Sequence, residues 1–329
     1  MMDVAKLIRD SNARITMIKY QEEILPEDVK FGSSSCWLVE EEEPFVSEGP
    51  EKIIFVDSRR RRFTSIEVEG YVLLLTQIVT GAVLLENHRC KPLFSPDEPP
   101  TVKLVLGVPD VIAKRWNVLN GEQVSIGRLS CDVAVGLTAK DATDSYMQEI
   151  ERRTVERFLQ EALVVKDGAI NFTTPTFQIE RGPLGLVKNI HMPYVDAEKF
   201  RTFGLMKKGQ RSRCFATQLA EGEELLKVMS YLKLSDTPGL RGLVRIEAVV
   251  QKDCFAGSKR HIFELFGRLC GTLVRVSDDS GLIPRTPEDT LPVVFLEKYL
   301  DRYFYSETYV RCAFIEAVKE TKNFSTEIS

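Results

Sequence analysis

Ile53-Ile54-Phe55-Val56-Asp57 and Leu163-Val164-Val165-Lys166-Asp167 are the two stretches on which the fold turns. Each opens on a short, unbroken apolar run, and an acid follows. A run of that length suits a strand buried on both faces and is too short for an ordinary helix. Two such strands in one chain predict an open α/β sheet, which places its ligand crevice at the carboxyl ends of its strands. Asp57 and Asp167 are expected at those ends. The competing reading is turn chemistry, because Asp57-Ser58 and Asp167-Gly168 are also ordinary turn dipeptides.

Working outward, Asp57 is followed by the basic run Arg59–Arg62, an alternating stretch 63–69, and the strand-like Tyr71–Leu85 with Gly70 and Gly81 as punctuation. A buried strand flowing into hairpins predicts a sheet of mixed direction. Residues 2–24 carry Val4, Leu7, Ile8, Ile15 and Ile18 between polar residues, which predicts an amphipathic helix ended by Pro26. Residues 40–50 begin with Glu40–Glu43 and read as an acidic, solvated linker. The proline-broken stretch 91–145 reads as an insertion, with a hairpin turn at Asn120-Gly121. A helix is expected over 144–161, strands at 185–188, 214–217 and 242–250, and closing helices over 258–276 and 292–305.

Composition removes several classes of function. Of 329 residues, 43% are hydrophobic and 28% charged, so wholesale disorder is excluded. A net charge of −4 excludes a generally basic binder and leaves nucleic acid only a local basic surface. No apolar run approaches a membrane span, and Met1-Met2-Asp3 opens no apolar signal segment, so a cytoplasmic protein without membrane contact is expected. Seven cysteines with no Cys-x-x-Cys pair predict reduced, buried thiols. The three histidines lack His-x-x-x-His spacing, and there is no phosphate-binding P-loop, dinucleotide fingerprint or Gly-x-Ser-x-Gly elbow.

In the 144–161 helix, Met147, Ile150, Thr154, Val155, Phe158 and Ala162 fall on one face, and Glu151 sits in the middle of it. A buried glutamate is costly unless paired or metal-bound. It either meets a core arginine such as Arg245 or joins Asp57 and Asp167. Three carboxylates from two strand ends and a helix suit Mg²⁺ or Mn²⁺, and two such ions close together activate a water and stabilise the leaving oxygen of a phosphodiester. Arg59 and Arg60 after Asp57, and Lys207, Lys208 and Arg211 in a glycine-bearing loop, are candidates to neutralise phosphates. Solvated charged loops are the other reading of both clusters.

Taken in order, four blocks resemble the NurA family of DNA-end-processing nucleases. They are Phe55-Val56-Asp57-Ser58-Arg59-Arg60 with Thr80-Gly81-Ala82-Val83; Glu151 followed by Val165-Lys166-Asp167-Gly168-Ala169-Ile170; Gly185-Leu186-Val187-Lys188; and Gly242–Glu247 followed by Ile283-Pro284-Arg285-Thr286-Pro287, Leu291-Pro292 and Leu296-Glu297. The resemblance implies an RNase-H-like α/β core with a mixed sheet flanked by helices. It implies a homodimer, Mn²⁺-dependent (or Mg²⁺-dependent) cleavage of DNA, and a hexameric HerA-type ATPase as partner. Asp57, Glu151 and Asp167 become the metal-binding acids; Lys188 joins the catalytic set and Arg285 the DNA-binding set. Many family members carry a histidine in the last block. Here Glu297 is the nearest oxygen ligand in its place, or else a surface residue of an amphipathic helix.

The resulting expectation is an N-terminal helix and linker over 1–48, then a NurA-like nuclease domain over 49–329 interrupted at about 91–145. Its activity would be 5'-3' end resection in double-strand break repair, with the apolar face of the N-terminal helix as the contact for the ATPase. An inactive dimeric adaptor for a ring ATPase, or a nuclease acting on RNA, are the alternatives.

Overall fold

A computed structural model describes residues 2–11, 14–16, 36–95, 97–171, 177–178, 181–219, 224–277 and 287–319. In chain order the elements are β1 (Met2–Asp3), α1 (Val4–Asp10), β2 (Arg14–Thr16), β3 (Trp37–Leu38), β4 (Lys52–Val68), β5 (Tyr71–Glu86), β6 (Arg89–Pro92), β7 (Thr101–Pro109), α2 (Asp110–Trp116), β8 (Gln123–Ile126) and β9 (Leu129–Gly136). They continue with α3 (Ala139–Phe158), β10 (Leu163–Asp167), β11 (Leu184–Val187), α4 (Ala197–Phe203), β12 (Phe215–Gln218), β13 (Leu225–Lys233), β14 (Leu243–Gln251), α5 (Lys252–Val276), α6 (Leu291–Leu300) and α7 (Glu307–Lys319). The strands form one large mixed sheet in the order β1-β8-β9-β7-β5-β4-β10-β11-β14-β13-β12-β3, with β2 also on β4 and β6 also on β5.

The two deciding stretches lie side by side. β10 runs parallel to β4, with Leu163 to Lys166 opposite Ile53 to Val56. Pleating sends alternate residues to opposite faces. Phe55 and Val165 face a core completed by Ile262, Leu265 and Leu269 of α5 and Val293, Leu296 and Leu300 of α6. Ile54, Val56 and Val164 face Val155 and Phe158 of α3. Each of these side chains contributes roughly 1.5–3 kcal/mol on leaving water, which explains why the runs contain no polar residue on either face.

Asp57 does not end its strand as expected. β4 continues to Val68, antiparallel to β5 throughout, with an irregularity between Arg62 and Thr64. What ends here is the neighbour: β10 pairs with β4 only as far as Lys166 opposite Val56, and β2 takes up the same edge only at Ser65. Asp57 therefore lies where the sheet parts, and Asp167 at the true end of β10. Gly81 stands opposite Asp57, and a Cβ there would come within 2.5 Å of the Phe94 ring and 2.7 Å of Leu300. Glycine lets α6 settle close to this point.

Several sequence-level boundaries need correction. Among the described residues, the helix expected over 2–24 is Val4–Asp10, capped by Asp3, whose carboxylate accepts from Ala5 N at 3.0 Å. Its Val4 and Ile8 are buried against Val310, Phe314 and Val124, so the face proposed for an ATPase already packs on its own sheet. Backbone ladder bonds draw Arg14–Thr16 onto β4, and residues 17–24 lie outside the described residues. The stretch 91–145 is continuous with the sheet, since β7 pairs with both β5 and β9. The turn at Asn120-Gly121 leads from α2 into β8. The hairpin loop is Gly127-Arg128 between β8 and β9, with Gly127 at φ 57°. The acidic segment is likewise anchored, since Glu40 is buried and β3 pairs with β12. The helix expected from residue 144 starts at Ala139, because Thr138 caps it by accepting from Asp141 N at 3.1 Å. Among the described residues no helix is long and apolar enough to cross a membrane.

Candidate metal centre

Asp57 from β4, Asp167 from β10 and Glu297 from α6 bring carboxylate oxygens within 4.8 Å of one another. All three reach the space between the sheet and α6. Alternation along β4 and β10 sends Asp57 and Asp167 to the face that carries Phe55 and Val165, and α6 packs there through Leu296. Pro292 in the first turn of α6 is suited to a helix start, where its missing N–H costs nothing. Glu297 follows on the site-facing side of that helix.

The surroundings compensate these acids incompletely. Asp57 Oδ1 accepts from the Ser58 amide at 2.7 Å. Asp167 Oδ2 meets Lys188 Nζ at 2.9 Å, and the same ammonium lies 3.2 Å from Asp289 Oδ1. Glu297 is 3.7 Å from Arg59, which also binds Asp301 at 3.2 Å. Asp167 Oδ1 is buried with no hydrogen-bond partner. Burial pushes the Asp57 carboxyl well above its ordinary range, and the charges of Asp167, Glu151 and Glu297 push it further, against Lys188. Burial also raises Asp167, with Lys188 and Lys166 opposing. Burial works against the Lys188 ammonium, yet Asp167, Asp289 and Asp57 together raise its pKa, so it stays charged. Such a pocket favours protons or a cation. An oxygen-only donor set with an orphaned carboxylate oxygen fits a hard divalent ion.

Glu151 is not brought into this group. It is buried, as its place on the apolar face demands, but α3 covers the other face of the sheet, the one with Ile54 and Val56. There Glu151 Oε2 pairs with Lys166 Nζ at 2.9 Å, and Lys166 also donates to the Asp167 carbonyl at 3.2 Å. Arg245, the alternative partner read from the sequence, binds Glu247 instead at 2.9 Å. Glu151 thus reaches Asp57 through its charge, not through a shared ligand position.

The basic residues are more occupied than their clustering suggests. Arg59 is turned onto Glu297 and Asp301, Arg60 is paired with Asp144, and Arg61 lies 4.4 Å above the Phe304 ring. Arg211 is no surface phosphate binder. Its guanidinium is buried and grips both oxygens of Glu40 at 2.7 Å, while its Nε donates to the Phe45 carbonyl at 3.0 Å. Burial without that carboxylate would leave a bare charge, and this ties the Glu40–Glu43 segment down. Lys207 is exposed and Lys208 half-buried in the loop after α4, which joins β13 through Gly209 N and the Lys233 carbonyl, away from the acids. Arg285 lies outside the described residues. The sequence reading missed Asp289, Asp301 and the role of Lys166. Only Lys166 gives a signal, as a lysine inside an apolar strand that must find an anion.

With this geometry in view, comparison with solved structures adds a distant likeness. The crystal structure of the NurA nuclease from Sulfolobus solfataricus aligns with 86% of this chain and 89% of that one, at a TM-score of 0.44 and 10% identity. No family model matches the sequence, and no curated protein matches it. The chemistry below stands on the residues of the site.

Proposed function

We propose that this protein is a metal-dependent nuclease whose cation is held by Asp57, Asp167 and Glu297. The observation that carries the reading is the meeting of three carboxylates with raised Asp57 and Asp167 and an unpartnered Asp167 oxygen. A bound Mg²⁺ or Mn²⁺ supplies charge stabilisation for a phosphodiester and an acidified water. Lys188 holds Asp167 in place and keeps a positive charge beside the site. Arg59 orients Glu297 and lies at the rim, from which a phosphate can draw it. Glu297 takes the position that the resemblance gives to a histidine. Glu151 fixes Lys166 and, through it, the backbone of Asp167.

In keeping with the sequence resemblance, the substrate is DNA, the core is of the RNase-H-like kind, and the protein works as a homodimer with a HerA-type ring ATPase in end resection. The chain has no nucleotide-binding loop of its own, so work on long duplex must come from a partner. Incubation with linear DNA and Mn²⁺ tests the reading. Cleavage that EDTA stops and Asp57→Asn abolishes is expected. Cleavage that persists in either case, or none by the unaltered protein, refutes it, and preference for RNA would change the substrate but not the site.

A further inference from the structure

Directly behind Asp167 lies a second ionic cluster to which the nuclease reading gives no role. Glu247 of β14 has no exposed surface, and Lys227 of β13 and Arg245 of β14 are buried beside it. Glu247 Oε1 accepts from Lys227 Nζ at 2.9 Å and Oε2 from Arg245 Nε at 2.9 Å. Arg245 also donates to the Met192 carbonyl at 2.7 Å, and its guanidinium lies 4.9 Å from the Tyr194 ring. Burial opposes the Glu247 charge, but Arg245, Lys227 and the Ile170 amide hold its carboxyl below the usual range. Two cations for one anion more than meet the needs of that carboxylate. Even so, Oε1 accepts a further bond, from the backbone N–H of Ile170 at 2.8 Å.

That amide belongs to the turn leaving Asp167. Asp167-Gly168-Ala169-Ile170 is pinned at two points: Gly168 N on the Leu186 carbonyl at 2.8 Å, and Ile170 N on Glu247. Gly168 has φ 94°, so the chain reverses sharply just after the acid. The path between Glu247 and the turn crosses Gly185 of β11, which stands opposite both Lys166 and Glu247. A Cβ on Gly185 would come within 2.9 Å of Glu247 Cγ and 2.9 Å of the Gly168 carbonyl oxygen. The glycine leaves room for the carboxylate to reach the turn.

We infer that Glu247, held by Arg245, is a positioning residue that sets Asp167 for cation binding through the Ile170 amide. The inference rests on the proposed metal reading and adds a control on the affinity of that site. Groups that orient ligands through one hydrogen bond typically govern affinity by about 10–100-fold. Replacing Glu247 alone leaves two buried cations uncompensated and threatens folding. The test therefore compares Lys227→Met, which keeps the Glu247–Arg245 pair and the Ile170 bond, with the double variant Lys227→Met/Glu247→Leu, which removes the acceptor. Gly185→Ala keeps all three charged groups and crowds the path.

Two quantities are read: free Mn²⁺ by electron paramagnetic resonance during titration, and amide exchange of peptides covering 166–171 without metal. Lys227→Met should match the parent in both. The double variant and Gly185→Ala should each bind Mn²⁺ at least about tenfold more weakly and lose protection in that turn. If the double variant does not fold, Gly185→Ala decides alone. Unchanged exchange, or unchanged affinity in a parent that binds Mn²⁺, overturns the inference. A parent that binds no Mn²⁺ fails the metal reading, and with it the control of cation binding assigned to Glu247, whatever the exchange shows.

Discussion

The Asp57–Asp167–Glu297 group, on β4, β10 and α6, and the Lys227–Glu247–Arg245 group, on β13 and β14, use the same side-chain chemistry with opposite outcomes. Around Glu247 both carboxylate oxygens are taken, and its pKa is lowered. Around Asp57 and Asp167 the pKa values rise and one buried oxygen is left over. A buried charge group that closes on itself braces the fold. One that does not close keeps affinity for something positive from outside. Compensation, and not burial or acid content, separates the two.

The strongest attempt to break this contrast is Asp57→Asn. Cleavage should fall to background, by at least roughly 10³-fold, the worth of several kcal/mol of cation-borne stabilisation. The metal-free protein should melt no lower than the parent, because an ionised Asp57 is a burden to the fold. A large drop in melting temperature would place Asp57 among the bracing groups instead.

Arg211→Ala probes the closed kind of cluster. Stranding Glu40 should cost about 3–5 kcal/mol in denaturant unfolding, with DNA affinity in a filter-binding assay unchanged. Weakened binding with intact stability would return Arg211 to the phosphate contacts.

Glu151→Gln lies between. It removes a charge felt by Asp57 but no ligand atom of the group, so cleavage should fall only about five- to tenfold. A loss as deep as that of Asp57→Asn would move Glu151 into the ligand set.

The smallest effect is in pH. Asp57 and Asp167 have folded-state values above the ordinary 3.8. Their contribution to the metal-free fold is fully present below 3.8 and is lost as pH rises through the raised values. A divalent cation competes with these protons. Calorimetry in buffers of different ionisation enthalpy should detect proton release on Mn²⁺ binding. The melting increment from a fixed Mn²⁺ concentration should grow as pH rises. An increment flat with pH would mean that both carboxyls are already ionised.

How much of this was legible beforehand depended on whether the signal was local. Ile53–Val56 and Leu163–Val165 announced strands because burial on both faces excludes polar residues, and β4 and β10 contain them as neighbours. Asp57 and Asp167 were legible as acids beside such strands. The amphipathic face of α3 correctly marked Glu151 as buried. It could not say which face of the sheet α3 covers, and that choice gave Glu151 to Lys166 rather than to Asp57. Arg211 misled for a similar reason. A cluster of lysines and arginines looks the same in sequence whether its members face water or, like Arg211, find Glu40 far away in the chain.

The sequence by itself determined the mixed α/β character, the buried central strands, the helices α3, α5 and α6, and two of the three acids that meet. Periodicity and apolar runs are written in neighbouring residues, so they need no knowledge of the rest of the chain. The tertiary structure alone decided that β4 runs past Asp57 while β10 stops, that 91–145 extends the sheet, and that Glu297 is the third acid. It also decided which charges are compensated, because strand order and helix docking set those distances between residues far apart in the chain.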